Sequence, residues 1–171
     1  DVYKRQIFAS ATAIDGVVTG ANTTSSRAEA CDPEFQVGMP YLAIPDNVNG
    51  TVYTDYEGNA TGLVGGQRTL TVDGRYFDVN YASGTPYSQS VNIESGVPFN
   101  IALNPTDESG KAAMNAYIES NVVRDFTLAR NPSYPTIGNQ FNWDINIGVS
   151  GSCNAFYNGS SINFYLSLIH I

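Results

Sequence analysis

The sequence predicts an α+β fold: an antiparallel, sandwich-like β region, then one long amphipathic helix, then a strand and a hairpin. Two observations carry this expectation. Short strand-like runs broken by turn residues recur from Ile7 to about Asn104. At Asn104-Pro105 the hydrophobic period changes from that of a strand to that of a helix. A third observation bounds the class. The 171 residues are 42% hydrophobic and 12% aromatic, enough for a packed core, whereas 14% charged residues are too few for coiled coils or long solvent-bridging helices.

The elements follow in order. Ile14 to Val18 is a short strand closing at Gly20, and Tyr41 to Ile44 is a second, held between Pro40 and Pro45. Gly50 to Asp55 alternates and ends in the turn cluster Tyr56, Glu57, Gly58, Asn59. Arg68 to Val72 alternates again, and Asp73-Gly74 signals a hairpin before Arg75 to Tyr81. Ser90 to Ile93 and Pro98 to Leu103 complete the β region, whose regular spacing suggests an antiparallel sandwich. Thr106, Asp107, Glu108 and Ser109 then supply cap chemistry for a helix running from about Ser109 to Arg130. Met114, Ile118, Val122, Phe126 and Ala129 fall on one face, which is expected to dock, and Asn131-Pro132 stops the helix. Gln140 to Val149 reads as a half-buried strand, and the aromatic-rich segments around Asn158-Gly159 read as a hairpin with a two-residue turn.

Charge narrows the function. Eight basic against 16 acidic residues give a formal net charge of −8. That balance excludes the cationic footprint needed for nucleic acid, and adhesion to an anionic membrane surface with it. No run approaches the ~20 apolar residues of a membrane span. Few lysines, abundant Asn, Ser, Thr and Gly, and sequons at Asn22, Asn49, Asn59 and Asn158 predict an extracellular protein. Cys31 and Cys153 form one disulfide, or each pairs elsewhere; the sequence leaves both open. The one histidine, His170, lies in a terminal stretch that resembles adaptor sequence; outside that stretch there is no histidine with which to build a Ser-His-Asp triad, a Cys-His pair or an HExxH zinc site. Asp55, Asp73, Asp78 and Asp144 are expected to be turn and surface carboxylates, with Arg124 and Asp125 a structural ion pair.

Three segments resemble known families. Gly50 to Ala60 resembles a hairpin of transthyretin-like or carboxypeptidase-regulatory-like sandwiches. Asn154-Ala155-Phe156-Tyr157-Asn158-Gly159-Ser160, continued by Ser161 to Tyr165, closely resembles the active-site edge strand of thermolysin-like zinc metallopeptidases. The helix from Asn115 to Phe126 resembles the fungalysin-like pattern through Asn115, Asn121, Val122, Val123 and Asp125, and departs from it at Arg124, where that family usually has His. These resemblances imply a gluzincin-type, secreted zinc endopeptidase acting on peptide or protein substrates. The side-chain amide of Asn154 and the main chain of Ala155 would then hydrogen-bond substrate backbone. Phe156 and Tyr157 would pack behind and beside the cleft.

Residues 1–6 (DVYKRQ) and 167–171 (SLIHI) resemble translated sequencing-adaptor sequence. On that reading the chain is a fragment, with a β-sandwich accessory or linker region at 7–104 and the N-terminal portion of the peptidase domain at 105–166. No catalytic residue, metal ligand or cofactor is then expected within it; zinc belongs to the full-length parent. The competing expectation is a non-enzymatic extracellular β-sandwich module for binding or adhesion, since no catalytic constellation is present.

Overall fold

The computed structural model describes residues 13–23, 34–151 and 155–166. They form an α+β unit of twelve strands and one helix. The central strand of the first sheet is β1 (Ile14–Asn22), which pairs antiparallel with β2 (Phe35–Gly38) and β5 (Asn59–Leu63) and parallel with β9 (Phe99–Leu103). β3 (Ala43–Asp46) and β4 (Gly50–Tyr53) make one two-stranded sheet, and β6 (Gly66–Thr71) and β8 (Ser88–Ile93) another. The last sheet has the order β11-β12-β10-β7, where β7 is Phe77–Tyr81, β10 Trp143–Val149, β11 Ala155–Tyr157 and β12 Ser161–Tyr165. Within it β7, β10 and β12 run parallel, and β11 is antiparallel to β12.

Pairing is therefore mixed rather than antiparallel throughout. Parallel neighbours need long crossovers, and the connection from β7 to β10 contains β8, β9 and the helix α1 (Glu108–Arg130). That helix packs on β1, β7 and β10 and so joins two of the sheets. One continuous core runs through all of this, from Ile14 and Val18 through Leu42, Leu70 and Val79 to Met114, Tyr117, Ile145 and Ile147. The boundary drawn at 104/105 therefore crosses one packed unit, with β7 hydrogen-bonded to β10.

Asp73-Gly74 was the hairpin signal before Arg75, and here the structure differs. β6 pairs with β8, while β7 leaves for the sheet of β10. A type I′ turn needs positive φ at both central residues, and neither Asp73 nor Gly74 has it. Gly74 serves close approach instead: an added Cβ would overlap the Tyr117 hydroxyl oxygen. That hydroxyl, buried, donates to Pro40 O at 2.7 Å. Likewise Gly50 to Ala60 is no paired hairpin, because β4 pairs with β3 and β5 with β1. The turn between them is real. The Asp55 carboxylate accepts from the N–H groups of Glu57 and Asn59, both at 2.8 Å.

The helix starts and stops where expected. Asp107 is the N-cap, accepting from Gly110 N at 2.8 Å, and Asn131 N–H closes the last turn on Thr127 O. Its buried face is not the one the apolar stripe suggests. Gly110, Ala113, Met114, Tyr117, Ile118, Asn121 and Arg124 are buried, while Val122 and Phe126 are exposed. Met114 and Ile118 dock; the stripe then turns away and two polar residues take its place.

Candidate functional site

Among the described residues β11 is the outer strand of its sheet, and the turn that presents it is built around Asn158. The Asn158 N–H donates to Ser161 O at 3.3 Å. Its Oδ1 accepts from Ser160 N at 2.9 Å, Ser161 N at 2.8 Å and the Ser160 hydroxyl at 3.1 Å. Gly159, at φ +98°, is the first of the two central residues, as in two-residue loops that open with glycine. The turn is thus centred on Gly159-Ser160, one residue beyond the expected Asn158-Gly159.

Register fixes what the edge offers. Tyr157 lies opposite Ile162, Phe156 opposite Asn163 and Ala155 opposite Phe164. Hydrogen-bonded and non-hydrogen-bonded pairs alternate along an antiparallel ladder. With Asn158 bonded to Ser161, the next bonded pair is Phe156 with Asn163. The N–H and C=O groups of Ala155 and Tyr157 therefore point away from β12, toward the free edge. The Asn163 amide reinforces the inner side by donating to Phe156 O at 3.4 Å and to Ser161 O at 3.1 Å.

All three side chains of β11 are exposed. Tyr157 stands with its ring centroid 5.4 Å from that of Trp143, on the sheet face that carries Ile145 and Val79. Phe156 points to the opposite face, 5.4 Å from the ring of Tyr165. That opposite face is polar: Asn146 donates to Asn163 Oδ1 at 2.8 Å and Asn80 to Asp144 at 2.7 Å. Asn154, Cys153 and Cys31 lie outside the described residues.

The helical residues of the second resemblance separate into different jobs. Asn115 accepts from both the N–H and the hydroxyl of Thr23 at 3.0 Å, pinning the end of β1. Asn121 is fully buried and donates to Tyr117 O at 3.0 Å. Arg124 is 9% exposed, sits 3.4 Å over the Tyr76 ring and pairs with Asp125 at 2.8 Å, the ion pair expected from sequence. The Tyr41 hydroxyl donates to the other Asp125 oxygen at 2.6 Å, and burial, then Asp125, push its pKa far above the ordinary tyrosine value. Arg124 thus fills its position as a packed cation.

Around it lies a cluster that sequence reading missed. Tyr41 is edge-on to Tyr76 at 5.0 Å and tilted to Tyr56 at 6.4 Å, and Tyr76 stacks on Phe141 at 5.8 Å. Tyr41, one of these rings, and Asn142, next to Phe141 in the chain, hold positive φ values of 55° and 53°. No local pattern announces it, because the rings come from four separate stretches of chain. A cleft of about 510 Å³ lies elsewhere, where the ends of β7 and β10 meet the start of α1, lined by Ser83, Thr85, Asp107, Ser109, Gly148 and Leu166. Its carboxylate at Asp107 is occupied with the helix cap.

Of the four carboxylates expected in turns and on the surface, Asp55 and Asp144 are exposed, whereas Asp73 and Asp78 are half-buried, Asp78 within β7. Asp78 lies opposite Asp144 and bridges to Asp73; burial, then those two carboxylates, raise its pKa. Among the described residues no three His, Cys, Asp or Glu side chains come together to hold a metal ion. The residues described do not fit a zinc site. Among them no helix is long and apolar enough to cross a membrane. Comparison with known protein families, with curated proteins and with solved structures finds no match to this chain.

Proposed function

We propose that β11 binds extended polypeptide by strand addition, as the substrate-binding edge of a secreted zinc endopeptidase whose metal-ligating half is supplied by the parent protein. The observation that carries this reading is the outward direction of the Ala155 and Tyr157 backbone groups on an outermost strand. Two residues spaced i and i+2 repeat at the pitch of an extended peptide, so each offers it a donor and an acceptor in register. Main-chain pairing holds a substrate without selecting its side chains. Phe156 and Tyr157, exposed on opposite faces, flank the strip such a peptide would occupy.

Titrating the isotope-labelled chain with an extended, uncharged peptide tests the binding step. The amides of Ala155 and Tyr157 should shift and gain protection from exchange, and that of Phe156 should not. No response at either amide would overturn the reading. Response confined to Tyr56, Tyr76 and Phe141 would instead favour the non-enzymatic binding module, which the half-exposed aromatic cluster supports.

A further inference from the structure

The sequence contains two Asn-Gly dipeptides, Asn49-Gly50 and Asn158-Gly159, chemically identical as dipeptides. Both asparagines are exposed, and both glycines have positive φ, 76° and 98°. Their amide groups are held in opposite ways. Asn49 Nδ2 donates to Gly62 O at 3.0 Å, tying the nitrogen down, and its Oδ1 accepts nothing among the described residues. Gly50 begins β4, opposite Asp46 in the ladder. Asn158 Oδ1 accepts three hydrogen bonds, from Ser160 N, Ser160 Oγ and Ser161 N. Its Nδ2 and the N–H of Gly159 have no partner among the described residues.

We infer that Asn158 is a site of spontaneous succinimide formation, leading to aspartate and isoaspartate, and that the fold protects Asn49 from the same reaction. The Gly159 nitrogen attacks Asn158 Cγ and a new C–N bond closes the cyclic imide. The Cγ–Nδ2 bond breaks, and ammonia leaves with the proton from the Gly159 nitrogen. Solvent water then adds to one of the two imide carbonyls. Opening on one side gives aspartate; opening on the other gives isoaspartate. Nothing is oxidised or reduced.

Three features of the turn favour this path. Donors on Oδ1 draw electron density from Cγ and stabilise the oxyanion of the tetrahedral intermediate, as preorganised N–H groups do in acyl-transfer sites. Bonds from the N–H groups two and three residues on hold the amide carbonyl against the backbone of the turn. The leaving nitrogen is unencumbered. At Asn49 the bond to Gly62 O must break before the amide can turn. The product matters for the edge strand: isoaspartate lengthens the main chain within the turn that closes β11 on β12, and either product sets a carboxylate beside Tyr157.

The test needs only the intact chain, with Asn49 as internal reference. The folded protein is incubated at mildly alkaline pH and digested under acidic conditions. Both Asn-Gly peptides are then quantified by mass spectrometry, with isoaspartate identified by enzymatic methyl labelling. Asn158 should convert faster than Asn49 by roughly tenfold, which is less than single oxyanion donors supply in enzymes. In concentrated urea the two rates should converge. Ser160→Ala, which removes one of the three donors, should slow conversion at Asn158 by roughly two- to tenfold and leave Asn49 unchanged. Equal rates in the folded chain, faster loss at Asn49, or a preference for Asn158 that persists undiminished in urea would overturn the inference.

Discussion

Asp46 and Arg68 form a buried ion pair, 2.5 Å between Oδ2 and the guanidinium, with side chains 0% and 4% exposed. The guanidinium also donates to the carbonyls of Pro45 and Gly66 at 2.8 and 3.0 Å and to that of Val64. Burial alone would raise the Asp46 pKa. The N–H groups of Val64, Asn49 and Val48, with Arg68, outweigh it and hold the carboxyl well below the usual carboxylate range. The pair ties the β3–β4 turn to the start of β6. Asp46→Asn leaves Arg68 charged and buried, which costs about 3–5 kcal/mol for such pairs, read as a fall in denaturation midpoint. Because the folded-state pKa lies below the unfolded value of roughly 3.9, this stabilisation is complete above that value and drains as pH falls through the folded one. The melting temperature of the parent chain should therefore fall more steeply below about pH 4 than that of the Asn variant.

Asp78 carries the opposite sign. Burial and the carboxylates of Asp73 and Asp144 raise its pKa, so the folded state resists its ionisation. The penalty is absent below the unfolded value and complete above the folded one. Asp78→Asn should thus raise the melting temperature at neutral pH, and the gain should vanish below about pH 4, where the carboxyl is protonated in both states. Equal melting temperatures at neutral pH would show that the three carboxylates do not repel.

Helix α1 separates what local pattern reveals from what it hides. Asp107, the periodic Met114 and Ile118, and Asn131-Pro132 are local signals, and the helix forms between them. Its buried face past Ile118 is set by distant chain: Tyr41 and Tyr76 enclose Arg124 and make a polar position interior. No helical period encodes that, and the apolar stripe therefore places Val122 and Phe126 on the wrong side. The same holds among the strands. β2 (FQVG) and β5 (NATGL) are short and carry glycine, so no local alternation marks them as strands. Asp73-Gly74 misled because glycine meets two needs, positive φ and close approach, and only the tertiary contact with Tyr117 tells which applies. At the candidate site, the hairpin was legible from its turn residues and aromatics. The direction of its free backbone groups required the register.

The helix correction is directly measurable. Phe126 is 56% exposed, with Arg130 stacked 3.6 Å over its ring. Phe126→Ser should cost no more than about 1 kcal/mol, the scale of an exposed cation–π contact. Met114→Ala removes a fully buried side chain and should cost about 2–5 kcal/mol. Comparable losses at the two positions in urea titrations would restore Phe126 to the docked face.

The register of β11 makes a sharper demand, because it assigns neighbouring residues opposite tolerances for proline. Ala155 directs its N–H to the free edge, so a ring in its place deletes no ladder bond, and proline is at home on such edges. Phe156 directs its N–H to Asn163, so proline there removes a bond that seats β11 on β12. Ala155→Pro should therefore leave the stability of the chain within about 1 kcal/mol of the parent, while abolishing whatever peptide binding the edge supports. Phe156→Pro should detach β11, seen as rapid amide exchange at Asn163 and Phe164, with the core strands β7 and β10 still protected. If Ala155→Pro unseats the hairpin and Phe156→Pro does not, the alternation is inverted. Phe156 would then be the residue presented to an extended substrate, and the proposed contacts at Ala155 and Tyr157 would fall together.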